Sequence, residues 1–452
     1  MVVKKKNKRT FLRIPVDFNI KIEGNGEAKG IDVSETGLGF FVEKPLSIQK
    51  ARVEMDLSYY RKIEADFNVI WSRHSEDKSQ FRYGVTFQNF KGRDFKNLLR
   101  ALIQKYVEPF LERIQDKKIK DVARQFWFEY FLEYLYTLSE IDSSMRKNLL
   151  PGEIAYKKTE HVNNKILKQG DKLENILNDK RLTKNLKQLF RELSSGRVYK
   201  APIVKHAFEK PHGYPGDHEL IEVIYKNQIP FAPHIGYCYD RYLLENEYAV
   251  AVRNRKICMK KLIMDFIDES NSPFIEILNL GCGSSREIKE IFIDDNYHTN
   301  KSILFTLVDQ DIEALDFSQH LLKNSPKNIQ YSYFSHNVID YSMNPDKYYT
   351  ILGKKDLVYS IGLADYLQER VLKRLILFSF NLLKENGKII IAHKDSKSYK
   401  PLAPDWWCDW RFYHRSEEEV IDIFKNCGIK DYSMHITHEP SNVIFFVIIK
   451  RS

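Results

Sequence analysis

Gly281 and Gly283 lie in the run Leu278-Asn279-Leu280-Gly281-Cys282-Gly283-Ser284-Ser285, where an apolar stretch gives way to a helical pattern. Glycines at such a junction let the chain turn sharply and bring a ligand close to the main chain at the carboxyl end of a strand. Arg286 stands where a dinucleotide fingerprint would have its third glycine, which argues against a pyrophosphate seated on the following helix. The next strand ends at Asp309, whose carboxylate can accept from both hydroxyls of a ribose. Further along, Asp365 and Tyr366 sit beside a loop expected to face a ligand, and His393 and Lys394 close a later strand.

A second constellation lies near the N-terminus. Lys8, Arg9 and Arg13 precede the first strand, and Asp32-Val33-Ser34-Glu35-Thr36-Gly37 follows the next turn. The planar fork of arginine can hold a phosphate, contact a guanine edge or stack on a purine. Asp32 and Ser34 can hydrogen-bond a guanine, and Gly37 admits a tight turn. Between the two constellations, His212-Gly213-Tyr214-Pro215-Gly216-Asp217 combines two glycines, a proline and an acid in what reads as a stiff loop between helices.

The elements that carry these residues fall into three textures. Up to about residue 90, short alternating runs (16–22, 53–57, 67–71, 83–87) are separated by turn residues, the pattern of a small barrel or sandwich. Phe95, Leu98, Leu99, Leu102, Ile103 and Tyr106 then fall at helical steps, predicting one apolar face packed on the barrel. Residues 121–225 read as helices with polar joints. From about 235, a helical lead-in precedes candidate strands 275–280, 303–308, 356–360 and 388–393, alternating with helices 285–293, 312–322 and 366–383. That alternation predicts a doubly wound sheet, and 429–438 with 443–450 predicts an antiparallel hairpin at its end.

The chain has 452 residues, long enough for two or three domains, and 43% hydrophobic with 29% charged residues is a globular composition. Its longest strongly apolar run, 443–449, is far short of a membrane helix, and no apolar core follows the basic first residues, so no leader is expected. Five cysteines without a C-x-x-C pair form neither a disulfide framework nor a zinc site; a reducing cytoplasm and no metal are expected. The net charge of +10 favours anionic partners, but no basic stripe carries interleaved aromatics, and no nucleic acid is expected.

Residues 235–452 resemble the class I S-adenosylmethionine-dependent methyltransferases, the resemblance extending to 382–388 before the fifth strand and to the terminal hairpin. It implies S-adenosylmethionine as cofactor, with Gly281 and Gly283 along its methionine part, Asp309 at the ribose, Asn337 near the adenine, and Gln310 and Ser360 as further cofactor contacts. From about residue 120, the runs 210–217, 253–255, 359–367 and 410–419 look like a bacterial group related to enzymes that make 3-hydroxypalmitic acid methyl ester. This implies a small-molecule, fatty-acyl carboxylate as acceptor, with Tyr214, Asp217, Arg253 and Arg255 as substrate contacts and His393, Tyr366 and Asp365 as catalytic candidates. A carboxylate acceptor needs no general base, whereas a hydroxyl acceptor would make His393 the natural one. Residues 7–110 resemble the PilZ domain, implying cyclic di-GMP bound by Lys8, Arg9, Arg13, Asp32, Ser34 and Gly37. The expected fold is multidomain, α+β and α/β: a PilZ-like barrel (1–112), a helical linker or substrate-capping region (113–234) and a Rossmann-like methyltransferase sheet (235–452). The rival readings are a messenger-responsive adaptor with a non-catalytic methyltransferase fold, and a protein or hydroxyl methyltransferase.

Overall fold

The computed structural model describes residues 11–16, 18–56, 62–75, 79–88 and 90–452. It divides into two compact units: Met1–Pro202 with Pro230–Tyr239, and Ile203–Ile229 with Asp240–Ser452.

The first unit begins with seven strands: β1 (Ile14–Pro15), β2 (Asn19–Ile22), β3 (Gly26–Ser34), β4 (Gly37–Val42), β5 (Lys50–Met55), β6 (Ile63–His74) and β7 (Phe81–Gln88). Six close into an antiparallel barrel in the order β3-β2-β5-β6-β7-β4 and back to β3, with β1 added along β3. Alternation drives the closure. In β6, Ile63, Ala65 and Phe67 point inward while Glu64 and Asp66 face water, and the core is filled by Val33, Leu38, Phe40, Val53 and Met55. The helix Gly92–Leu111 plugs this barrel with Leu98 and Leu102, the apolar face that its periodicity predicted. Strands β3 and β4 are absent from the alternating runs seen in the sequence. Gly30, Gly37 and Gly39, with Glu27 and Lys29, dilute their apolar pattern below what alternation can register.

Helices follow at Lys117–Gln125, Leu132–Arg146, Gly152–Leu177 and Lys180–Val198, with a π-helical stretch at Phe126–Phe131. That wider turn places Phe126, Trp127 and Phe131 in the core, with Trp127 and Phe131 edge to face at 4.9 Å.

In the second unit β8 (Phe274–Leu280), β9 (Ser302–Asp309), β10 (Ile329–Ser335), β11 (Lys355–Ser360), β12 (Leu383–Lys394), β13 (Tyr432–His438) and β14 (Ile444–Arg451) form one sheet in the order β10-β9-β8-β11-β12-β14-β13. The first five run parallel, and β14 is antiparallel to both neighbours. The chain leaves β8 in one direction for β9 and β10, then returns for β11 and β12 on the other side. The crevice outside the carboxyl ends of β8 and β11 is therefore the topological switch point. Among the described residues, no helix is long and apolar enough to cross a membrane.

Gly37 acts differently from the tight turn expected of it. It opens β4 without a positive φ, and a Cβ there would lie 2.0 Å from the Val85 carbonyl oxygen of β7. Backbone cannot yield as a side-chain tip can, so Gly37→Ala is expected to destabilise the chain by about 2–3 kcal/mol in urea unfolding.

Candidate functional site

After Leu280 the chain turns through Gly281 (φ 69°) and Gly283 (φ 53°), left-handed positions that a side chain would strain. The Gly281 and Cys282 amides donate to the Val308 carbonyl at 2.8 and 3.0 Å, folding this loop onto the end of β9. The Gly283 amide donates to Asp309 Oδ2 at 2.8 Å, and the Asp311 amide to Asp309 Oδ1 at 3.0 Å. Burial pushes the Asp309 carboxyl up, and these amide bonds oppose that shift. A Cβ on Gly283 would meet nothing within 4 Å, so the space above the loop is open.

That space is a cavity of about 290 Å³. Gly281, Gly283, Asp309, Gln310 and Asn337 all line it. Asn337 also caps the helix Val338–Met343, its Oδ1 accepting from the Ile339 amide at 2.9 Å. Ser360 does not line the cavity; its hydroxyl donates to the Leu280 carbonyl at 2.7 Å and ties β11 to β8.

The facing wall comes from 203–229, the helix Glu247–Glu269 and the segments after β11 and β12. Tyr214, Tyr225, Tyr248, Tyr366 and Trp410 line it, with Arg255 among them. Burial raises these phenols, Tyr225 to about 12, so they stand protonated as donors. Tyr366 is fixed by the Trp410 indole, which donates to its oxygen at 2.7 Å. Arg255 is 5% exposed; it pairs with the Tyr225 phenol and lies near Asp365, while its Nε has no partner.

Four expected substrate-contact or catalytic residues point elsewhere. Asp217 is fully buried, caps the helix His218–Lys226 and faces His206 Nε2 at 2.7 Å. Arg253 donates to the Leu244 carbonyl at 3.0 Å. His393 is buried against Asp365, with Nδ1 2.8 Å from the Lys394 carbonyl and 3.2 Å from Asp365 Oδ1. Arg415 Nη1 approaches its Nε2 at 3.3 Å, so Nδ1 carries the proton and Nε2 accepts. Burial holds this imidazole below its ordinary pKa. Asp365 accepts from the Lys394 amide at 3.0 Å and, like Asp217, Arg253 and His393, is not part of the cavity lining.

Glu287 lines the cavity and went unnoticed in the sequence. It accepts from Asn279 Nδ2 at 3.1 Å and from the Tyr359 hydroxyl at 2.8 Å, and burial pushes its carboxyl up to about 7. The signal was Asn279: an amide inside an apolar strand must find a buried partner.

In the barrel, the Arg13 guanidinium pairs with Asp32, and the Ser34 hydroxyl donates to the Gly37 carbonyl at 3.3 Å. Lys8 and Arg9 lie outside the described residues. Glu35, inside the same loop, makes a buried two-pronged ion pair with Arg197 of the helix Lys180–Val198, one arm being 3.0 Å. Arg197 also donates to Ser139 at 2.9 Å.

A carboxyl whose pKa rises from 4.5 to about 7 on folding binds its proton more tightly in the native state. Stability is then complete below the unfolded value and falls as pH rises through the folded one. Between pH 4.5 and 8 the wild-type chain should lose stability on the order of 3 kcal/mol relative to Glu287→Gln, measured by urea unfolding across pH.

Residues 7–105 match the PilZ domain family. No curated protein matches the chain. Among solved structures, a possible exported protein from Bordetella parapertussis is 14% identical, covering 70% of this chain and 96% of its own at a TM-score of 0.41. The plantazolicin methyltransferase, solved with a triazolic desmethylPZN analog and SAH, is 14% identical, covering 59% and 99% at a TM-score of 0.36. An S-adenosylmethionine-dependent methyltransferase from Clostridium acetobutylicum is 13% identical, covering 48% and 99% at 0.33. The PilZ family match is thus confined to the N-terminal barrel, and the sheet that begins at Phe274 is a mostly parallel, doubly wound one closed by an antiparallel hairpin.

Proposed function

We propose that the chain transfers a methyl group from S-adenosylmethionine to a small-molecule carboxylate, and that cyclic di-GMP bound to its PilZ domain controls this activity. The observation that carries the reading is the open cavity at the switch point, where Gly281, Gly283, Asp309 and Asn337 converge. Asp309 is fixed by the Gly283 and Asp311 amides and keeps lone pairs for two ribose hydroxyls. Asn337, Val338 and Ile339 form the side suited to a base, and the unfilled space over Gly283 suits the bulk of a sulfonium nucleotide.

When bound, the cofactor supplies an electrophilic methyl group that is displaced in line. The chain's own task is to place the acceptor oxygen on that line and to exclude water. Arg255, with an unpartnered Nε and protonated phenols beside it, is suited to grip one oxygen of a carboxylate. Ile221, Val252, Leu363 and Leu367 give the cavity an apolar side for an acyl body. A carboxylate is already ionised at neutral pH, which agrees with a site whose best base, His393, is turned away and engaged by Arg415.

Calorimetry of S-adenosylmethionine binding to the full chain should give at least a tenfold weaker Kd for Asp309→Ala, with methyl-ester products in lipid extracts falling in parallel. Unchanged affinity would remove the cofactor assignment, and retained affinity with no methylated product would favour the adaptor reading. Equilibrium dialysis should show cyclic di-GMP lost from an Arg9→Ala/Arg13→Ala double variant; tight binding in that variant would refute the receptor assignment.

A further inference from the structure

We propose that His212, His218 and Glu219 bind one divalent transition-metal ion of the zinc class, at the edge of the cavity that His218 helps to line. One ring nitrogen of each histidine and one Glu219 carboxylate oxygen already lie within 4.8 Å of one another. The chain brings the two imidazoles together by turning through Gly213-Tyr214-Pro215-Gly216 and starting the next helix at His218. Their rings stand nearly perpendicular, with centroids 4.8 Å apart.

Asp311 supplies the second argument. Its Oδ1 caps the helix Ile312–Leu322 by accepting from the Glu313 amide at 3.0 Å. Its Oδ2 faces both imidazoles, 2.9 Å from His212 Nδ1 and 3.4 Å from His218 Nδ1. With both Nδ1 atoms turned to one carboxylate, the Nε2 atoms are left for an ion, and His212 Nε2 is 3.7 Å from Glu219 Oε2. This is the relay in which a carboxylate fixes the tautomer and angle of metal-binding histidines. His218 Nδ1 is buried without a hydrogen-bond partner, an arrangement that costs about 1–3 kcal/mol for a group left unpaired. An ion drawing the imidazole from its far side would align Nδ1–H with Asp311 Oδ2.

The donor set names the metal class. Two imidazoles and one carboxylate suit zinc-like ions and leave a fourth position open, whereas calcium and magnesium ask for six or more oxygens. Metal–donor bonds of about 2.0–2.2 Å set neighbouring donors roughly 3.3–3.5 Å apart, so closure needs a contraction of up to about 1.5 Å. Glu219 can supply it, being 57% exposed on its side chain. His206, whose Nδ1 is 3.9 Å from Glu219 Oε2, adds a neighbour that steadies this carboxylate. Cysteine spacing gave no zinc site; the histidines at 212 and 218, six residues apart, gather into one only through folding.

The site does not depend on the acceptor or on methyl transfer, so it is tested without cofactor. The full chain, stripped with a chelator, is titrated with Co²⁺ followed by visible absorption and with Zn²⁺ followed by calorimetry. One ion per chain is expected, with no thiolate-to-metal band and a Tm raised by Zn²⁺ and returned by chelator. His212→Gln/His218→Gln should weaken binding at least 100-fold and Glu219→Gln about tenfold. Absence of binding, an intense thiolate band, or equal affinity in the folded double variant overturns the proposal. If the double variant does not fold, unchanged affinity in Glu219→Gln, at an exposed position, overturns it equally.

Discussion

The second unit is organised around one buried carboxylate. Asp309 ends β9 and accepts from the Gly283 amide on one oxygen and the Asp311 amide on the other. Its first bond holds the glycine loop after β8, and its second fixes the entry to the helix Ile312–Leu322. Without it, two backbone amides would face a low-dielectric crevice unpaired, and the loop would have no reason to keep its left-handed turns. The floor of the cavity and the placement of Asp311 both follow from that one side chain.

The sheet was legible because its signals are strong and local. Strands β8, β9, β11 and β12 are continuous apolar runs of a kind that only a sheet covered on both faces produces, and the helix Ile312–Leu322 was read at its observed bounds. The terminal hairpin was equally plain from Glu439-Pro440-Ser441-Asn442 between 429–438 and the apolar run 443–450. In the barrel the same method failed at β3 and β4, whose glycines serve close backbone approach, as at Gly37, and therefore carry no side chain to pattern.

The site was legible in part for a related reason. Gly281, Gly283, Asp309, Gln310 and Asn337 reach the cavity because their positions follow from strand ends, which sequence fixes to within a residue or two. The facing wall depends on how a helix and a loop lie across the crevice. Two arginines show this: Arg255 enters the cavity, while Arg253, two residues earlier and about 200° round the same helix, binds the Leu244 carbonyl. His393 reads as a base from its type and strand-end position, but Asp365, Arg415 and the Lys394 carbonyl consume its polar atoms. Glu287 and Asn279 were hidden because each is explained only by the other.

The pairing of Glu35 with Arg197 gives the helix Lys180–Val198 a voice in what the barrel accepts. Glu35 sits between Ser34 and Gly37, so any guest that repositions this loop must also unseat a guanidinium that is only 3% exposed. Stripping a partner from a buried ion pair costs about 3–5 kcal/mol, a penalty of a hundredfold or more in apparent affinity. Guests that leave Glu35 in place escape the penalty. Under the receptor role proposed above, the helix would filter ligands by the loop shape they demand, and a change in its packing would retune binding without altering a residue of the barrel itself.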